Sequence, residues 1–267
     1  MESAKKLSAL LGKTLIIVAH PDDEALTCGA LLQRMQEPAI VFATDGAPRD
    51  SFFWQKFGSR HEYACIRREE ARRALATVKV SQINFLAQDD GSNTFVDQEL
   101  FRVLPPAMHR ISALITCLCP EVLLTLAYEG GHPDHDCCSF ITAVLAREHS
   151  LPAWEMPLYH RSTDGVVVRQ DFHSPNGEEV VFQPTAAELE GRQRIISAYG
   201  SQSKVLGEFT SDLERFRPLA SYDYSQPPHV GILNYEAWRW SVSGADLCRD
   251  FAAFFESRQL QEVHTRR

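Results

Sequence analysis

The stretch "LIIVAHPDDEALTCG", residues 15–29, decides the fold and raises the first functional question. Its four leading residues, Leu15 to Val18, are typical of a buried strand, because a parallel strand covered on both faces shows a continuous apolar run. His20 and the three consecutive carboxylates of residues 22–24 follow where that strand ends. So much negative charge at the point where the chain leaves the core needs a physical explanation.

The first 150 residues alternate between predicted strands and predicted helices. Continuous apolar runs predict strands over residues 14–19, 39–46, 83–91 and 121–127. Helical spacing predicts helices over residues 22–36, 61–78 and 97–116, with a fourth helix after the glycines at 130–131. Pro105 and Pro106 are expected to break or reset the third helix. The alternation predicts an α/β fold with a Rossmann-like, mostly parallel sheet flanked by helices.

The pattern weakens after Pro152, which predicts a less regular C-terminal part. Short strands are expected over 157–162 and 165–172, and helices over 185–202 and 245–258. Residues 208–230 are rich in proline, tyrosine and charge and predict a long ordered loop. Because no repeat, low-complexity stretch or linker interrupts residues 1–267, we expect a single domain.

The composition excludes several classes of protein. The 267 residues are 44% hydrophobic and carry a net charge of −8, which is typical of a soluble chain and not of a nucleic-acid or anionic-membrane binder. No apolar run approaches the roughly 18 residues of a membrane span, and the first 20 residues lack a signal-peptide pattern. Seven cysteines without a CxxC pair indicate reduced thiols. We therefore expect a cytoplasmic protein with a small-molecule partner, as a monomer or a homo-oligomer.

Polar clusters end three of the predicted strands. They are "HPDDE" at 20–24, "TDG" at 44–46 and "GGHPDHD" at 130–136. Since ligands bind beyond the carboxyl ends of parallel strands, these clusters are expected to meet at one edge of the sheet. Helix capping would explain Asp22 or Asp23 singly, but it does not explain His20. Glu24 is expected to support the first helical turn or to hold a metal ligand from behind.

The second cluster contains two histidines three residues apart. His132 and His135 can share one face of a helix that begins near Pro133. Two histidines and one carboxylate with open positions suit catalytic zinc or non-haem iron. A divalent cation would also remove the repulsion among the neighbouring acids.

These motifs resemble the LmbE-like, or PIG-L, family of metal-dependent N-deacetylases. The resemblance lies in "AHPDDE" and "HPDH", and extends to "RREEARRAL", "FLAQDDG" and "AYGSQ", so that it covers about residues 14–205. The extension of about residues 206–267 carries no recognised family feature. The resemblance implies Zn²⁺, or Fe²⁺ or another divalent ion, and an N-acetyl amino sugar or its conjugate as the substrate.

The resemblance also implies roles for individual residues. The implied metal ligands are His20, Asp23 and His135. Asp22 would be the general base that acts on the attacking water. His132 would stabilise the oxyanion or protonate the leaving amine, and Asp134 would orient His132 and stabilise its charge.

Substrate contacts are implied more weakly. In "RREE", Arg67 matches the family's substrate-binding arginine, and Arg68 is its competitor if the alignment shifts by one residue. Some relatives carry a tyrosine two residues before the first histidine of the second motif; this chain has a glycine there, and Tyr128 is the nearest candidate. Two further candidates to hydrogen-bond sugar hydroxyls are Asp45 and Asp90, although Asp-Gly is also a common turn.

Other activities stay open on the residues alone. The same site would suit a non-haem Fe(II) enzyme, although such oxygenases usually have a double-stranded β-helix rather than alternating strands and helices. A dinucleotide-binding Rossmann protein is disfavoured because no GxGxxG follows the first strand. An amidase acting on a non-sugar or thiol-conjugate amide and a non-catalytic sugar- or protein-binding relative are further alternatives.

Overall fold

A computed structural model describes residues 6–78, 80, 82–87 and 94–265 of the protein, with side chains described as far as residue 257. The strands are β1 (Thr14–Val18), β2 (Ala39–Phe42), β3 (Gln82–Phe85), β4 (Val122–Leu126), β5 (Ala153–Met156), β6 (Tyr159–Arg161), β7 (Val167–Arg169), β8 (Val180–Phe182) and β9 (Glu214–Pro218). The helices are α1 (Asp23–Thr27), α2 (Arg60–Ala76), α3 (Leu104–Leu118), α4 (Pro133–His149), α5 (Ala186–Ala198), α6 (Ser203–Leu206), α7 (Asn234–Ala237) and α8 (Gly244–Thr265).

Seven of these strands form a central, mostly parallel sheet in the order β3-β2-β1-β4-β5-β9-β8. β1 lies in the middle and pairs in parallel with both β2 and β4. Every residue of β1 and β4 is buried, as their apolar sequences require when helices cover both faces. The predicted α/β fold is confirmed. None of the described helices is long and apolar enough to cross a membrane.

The helix predicted over residues 22–36 is shorter than expected. α1 ends at Thr27, and a 3-10 turn follows over Leu31–Arg34. The guanidinium of Arg192, on α5, donates to the carbonyl oxygens of Ala25 and Leu26 at 3.2 and 3.0 Å, and so it satisfies the end of the helix. A Cβ at Gly29 would lie 2.7 Å from the Ala25 oxygen, so only glycine fits this close turn.

Three strands, β5, β8 and β9, lie where the sequence did not predict them. β9 occupies part of the predicted loop 208–230 and pairs antiparallel with β5, which was also not predicted. β9 escaped prediction because its sequence, "ERFRP", has buried charged residues where a buried strand usually has a continuous apolar run. Its Arg217 donates to Glu155 of β5 at 2.6 Å, and both side chains are buried. The helix predicted over 97–116 begins later, at Leu104, with the two prolines in its first turn.

Candidate active site

Three histidines and their carboxylate neighbours meet at the carboxyl end of the sheet. His20 follows β1, whereas His132 and His135 lie at the start of α4, which follows the neighbouring strand β4. The His20 and His132 rings contact edge to face, with centroids 4.4 Å apart. Parallel pairing of β1 with β4 therefore joins two motifs that are more than 100 residues apart.

The three predicted metal ligands lie next to one another. His20 Nδ1 is 3.3 Å from His135 Nε2, and Asp23 presents Oδ1 at 3.4 Å from His135 Nε2 and Oδ2 at 3.6 Å from His20 Nδ1. Ligand atoms about 2.0–2.1 Å from a tetrahedral zinc lie about 3.3 Å from each other. The donor types and their spacing therefore fit a divalent ion.

The backbone around Asp23 holds its carboxylate in place. Oδ2 accepts hydrogen bonds from the amides of Ala19 and His20 at 3.0 and 2.8 Å. The preceding residue, Asp22, has φ of 134°, a conformation that side-chain-bearing residues rarely adopt. Its amide donates to Glu24 Oε2 at 3.2 Å, and Glu24 in turn accepts from the Tyr199 hydroxyl. Glu24 thus supports the strained turn that aims Asp22 and Asp23.

Asp22 is a buried carboxylate that pairs with a guanidinium. Its Oδ2 lies 3.0 Å from Arg67 Nη2, and Arg67 also donates to the carbonyl oxygens of Pro21 and Gly46. Burial raises the pKa of Asp22 to about 7, although the nearby guanidinium opposes this shift. A carboxylate that titrates near neutral pH is suited to exchange protons with a substrate or a water molecule.

The histidines differ in charge. Burial alone lowers the pKa of His20, but the carboxylates of Asp97 and Asp23 overcome it and raise that pKa well above its usual range. Burial lowers the pKa of His135 to about 4, so this ring is neutral at pH 7, whereas a cation bound at His20 would have to displace its proton. At His132, Nδ1 accepts from the amide of Asp134 at 3.1 Å, which leaves the ring N–H at Nε2.

Asp97 belongs to the site and was missed from the sequence. Its Oδ1 lies 3.2 Å from His20 Nε2 and 3.4 Å from His132 Nε2. This oxygen is buried and makes no well-formed hydrogen bond with the described residues. Burial opposes ionisation of Asp97, yet His20 and His132 hold its pKa well below the usual range. No motif marks Asp97, and only the folded chain brings it to the histidines.

Asp134 lies behind the histidines. Its carboxylate accepts from the amides of Gln98 and Leu100 at 2.7 and 3.0 Å, and Oδ2 is 3.2 Å from His20 Nε2. The same oxygen is 3.9 Å from His132 Nδ1. Asp134 thus ties the segment after Asp97 to α4, and its closest contact with His132 is through its backbone amide.

Of the predicted substrate-binding residues that the structure describes, one lines the site cavity and the others do not. Arg67 lines the site cavity, whereas Arg68 does not and contacts Cys65. Tyr128 points away from the cavity and donates to the Gln226 carbonyl at 2.9 Å. Asp45 is also outside the cavity lining, because it accepts from the Ala47 and Asp97 amides and pairs with Arg60 at 2.5 Å. Asp90 lies outside the described residues.

The glycine two residues before His132 has a structural reason. Gly130 adopts φ of 69°, and a Cβ there would lie 2.6 Å from the side chain of Leu233. A tyrosine at this position would meet both a steric clash and an unfavourable backbone conformation.

The site opens into a cavity of about 300 Å³. Its floor carries Asp22, Asp23, Asp97 and the three histidines. Its outer wall is mostly apolar and includes Phe53, Val167, Val205, Phe209, Trp238 and Trp240. Polar groups converge on one end of a largely apolar pocket, which is the usual arrangement of a small-molecule site.

The fold and the residues on the cavity floor together define an α/β protein with a candidate metal centre at the carboxyl ends of its parallel strands. The family described as PIG-L, GlcNAc-PI de-N-acetylase, matches residues 15–146. The chain therefore carries a PIG-L, or LmbE-like, family domain over these residues.

One curated relative and several solved structures are similar to this chain. A probable N-acetyl-α-D-glucosaminyl L-malate deacetylase 2 of Bacillus cereus is 23% identical over 201 residues, covering 73% of this chain and 86% of the relative. The structure of the A40926 pseudoaglycone deacetylase Dbv21 is 17% identical with a TM-score of 0.59, covering 79% of this chain and 99% of that one. The structure of a zinc-inhibited form of the teicoplanin deacetylase Orf2 is 16% identical with a TM-score of 0.59, covering 77% of this chain and 97% of that one. These structures share the fold.

Proposed function

We propose that the protein hydrolyses the N-acetyl group of an amino sugar or an amino-sugar conjugate, with a divalent ion, zinc, as its cofactor. The observation that carries this proposal is the cluster of His20, Asp23 and His135 beside Asp22, on the floor of one cavity. The sugar class is supported by the Bacillus cereus relative, whose name specifies a glucosaminyl malate deacetylase.

Of the possible ligand sets, the predicted triad is the best supported. Two other groups have donor atoms within 4.8 Å of one another: the three histidines, and His20 with Asp97, His132 and Asp134. In those groups, however, His132 Nδ1 already accepts from an amide, and both oxygens of Asp134 accept from amides. In the triad, Asp23 Oδ2 accepts from two amides, but the described residues place no backbone amide on Asp23 Oδ1, His20 Nδ1 or His135 Nε2.

The chain's own residues supply the remaining chemistry. A divalent ion, when bound, lowers the pKa of a coordinated water and polarises the amide carbonyl. Asp22 takes the proton of the attacking water, and Arg67 holds the carboxylate in place at 3.0 Å. His132 directs its Nε2 hydrogen at the developing oxyanion or the leaving nitrogen.

The reaction balances as a hydrolysis. Water oxygen forms a bond to the acetyl carbon, and the amide C–N bond breaks. The nitrogen receives a proton and leaves as a free amine, and the products are acetate and the amino sugar. Asp22 and His132 lie on the same cavity floor, so both can reach one amide.

The test is release of acetate and primary amine from N-acetylglucosamine and its conjugates, including the malate glycoside. Asp22→Asn is expected to lose about 10²–10⁴-fold in kcat, the usual contribution of a general base, and to keep its metal. Asp212→Asn, an exposed substitution outside the cavity, is the matched control. Turnover by Asp22→Asn at the wild-type rate contradicts the assignment of the base.

A further inference from the structure

The outer wall of the cavity comes mainly from residues beyond the matched family segment 15–146. Val167 lies on β7, Val205 on α6, Phe209 follows that helix, and Trp238 and Trp240 follow α7. We call these five residues the apolar wall. The part of the chain that carries the fewest family features therefore shapes the entrance to the site.

The apolar wall is continuous with the reacting centre. The Trp240 ring contacts His132 edge to face at a centroid distance of 4.8 Å, and Trp238 lies 5.3 Å from Trp240. Tyr159 joins the other side, at 5.4 Å from His135 and 6.1 Å from Trp238. A group bound on the wall would thus be attached to, or adjacent to, the amide that reacts.

Parts of this wall are exposed to solvent. Trp238 is 44% exposed and Val205 is 53% exposed, although both line a cavity. Exposed apolar side chains that gather at a concave surface mark a binding site, because the ligand removes them from water.

The charges of the cavity argue against an anionic group on this wall. Among the described lining residues, the arginines and lysines are Arg67 and Arg169. Arg67 is held deep in the site by Asp22 and two carbonyl oxygens, and Arg169 is paired with Glu208. A carboxylate or phosphate on the wall would have to compete with Glu208 for Arg169, which lies 5.6 Å from the Phe209 ring centroid, or with Asp22 for Arg67.

We propose that the substrate carries a neutral apolar group, such as a benzyl-like ring or an alkyl chain, that binds the apolar wall. This inference rests on the proposed deacylase function and specifies its substrate class. The group can belong to the aglycone of the amino sugar or to an N-acyl chain longer than acetyl, and both have the chemistry that the wall recognises.

The test compares kcat/KM for four substrates with the same sugar: free N-acetylglucosamine, its malate glycoside, its benzyl glycoside and N-octanoylglucosamine. We expect the benzyl or the octanoyl substrate to exceed the free sugar and the malate glycoside by about tenfold, the effect of burying a few apolar groups. A benzyl preference assigns the group to the aglycone, and an octanoyl preference assigns it to the acyl chain.

Trp238→Ala is expected to remove this preference, because it lowers kcat/KM for the benzyl or octanoyl substrate by a larger factor than for the free sugar. Val205→Ser, at an exposed position of the same wall, is a second variant should the tryptophan substitution impair folding. Val181→Ala is the matched control, since Val181 is also 44% exposed but lies on β8, away from the cavity.

Two results would overturn the inference while leaving the proposed function intact. One is turnover of all four substrates with equal kcat/KM or with the malate glycoside preferred. The other is an equal loss on every substrate in Trp238→Ala and Val205→Ser. Failure to release amine from any of the four would instead contradict the deacylase function itself, and this inference with it.

Discussion

Arg67 Nη2 lies 3.0 Å from Asp22 Oδ2, and both residues are largely buried. Burial pushes the pKa of Asp22 upward and the guanidinium pushes it downward, and the balance is a pKa of about 7. Arg67 thus opposes the rise in the pKa of Asp22, the proposed general base, in addition to any contact with a substrate.

Removal of this guanidinium is expected to shift the pH profile of the enzyme. In Arg67→Gln the pKa of Asp22 rises, so the acidic limb of kcat/KM moves to higher pH by about one unit or more. Arg169→Gln, which alters a lining arginine paired with Glu208, should leave the limb in place. If Arg67→Gln raises KM but keeps the wild-type limb, Arg67 binds substrate and does not tune the base.

Loss of one proposed ligand should remove the metal. His135→Ala is expected to purify with little bound zinc, because two protein ligands hold a divalent ion far more weakly than three. His149 is on the same helix, and its Nε2 is hydrogen-bonded to the Ser112 hydroxyl at 2.9 Å. The control variant His149→Ala should therefore keep the wild-type metal content. Elemental analysis of both proteins decides the matter, and full occupancy in His135→Ala would refute the ligand set.

Much of the fold and most of the residues on the floor of the candidate site could be predicted because short-range signals mark them. β1 and β4 are continuous apolar runs, and the histidines that follow them stand in compact motifs. The carboxyl ends of parallel neighbours meet at one edge, so strand assignment alone brought His20 and His132 together.

Long-range pairing explains what could not be predicted. Asp97 stands in no motif, and its amide is held by Asp45, which lies 52 residues earlier, at 3.2 Å. β9 pairs with β5 where Arg217 forms a buried ion pair with Glu155, and no local sequence pattern indicates that these two residues are partners. The placement of Tyr128 away from the cavity likewise depends on its bond to Gln226, far along the chain.

Asp97 is expected to act as a positioning residue for the two histidines. In Asp97→Asn the negative charge 3.2 Å from His20 Nε2 is lost, and metal affinity should fall about 10–100-fold, as for other residues behind metal ligands. Competition with a chelator measures this affinity directly. Asp171→Asn, at an exposed aspartate, is the control. Unchanged affinity together with an unchanged pH profile would assign Asp97 no role in the site.

A buried glutamate outside the reacting centre should make stability depend on pH. Glu129 accepts from the amides of Leu158 and His173 at 3.3 and 3.2 Å, and burial raises its pKa from 4.5 to about 8. The folded protein therefore binds a proton that the unfolded chain releases in this range. Its contribution is fully present below about pH 4.5 and is lost as pH rises towards 8.

Glu129→Gln is expected to flatten this dependence. Between pH 5 and 8 the free energy of unfolding of the wild type should fall more steeply with pH than that of the variant. The difference between the two slopes should be up to about 1.4 kcal/mol per pH unit. Glutamine cannot titrate, and its single amide oxygen keeps one of the two backbone hydrogen bonds, that from Leu158 or that from His173. Glu178→Gln, at an exposed position, should match the wild-type slope. Urea denaturation at four pH values measures the three slopes, and parallel lines for wild type and Glu129→Gln would show that Glu129 is not protonated in the folded protein.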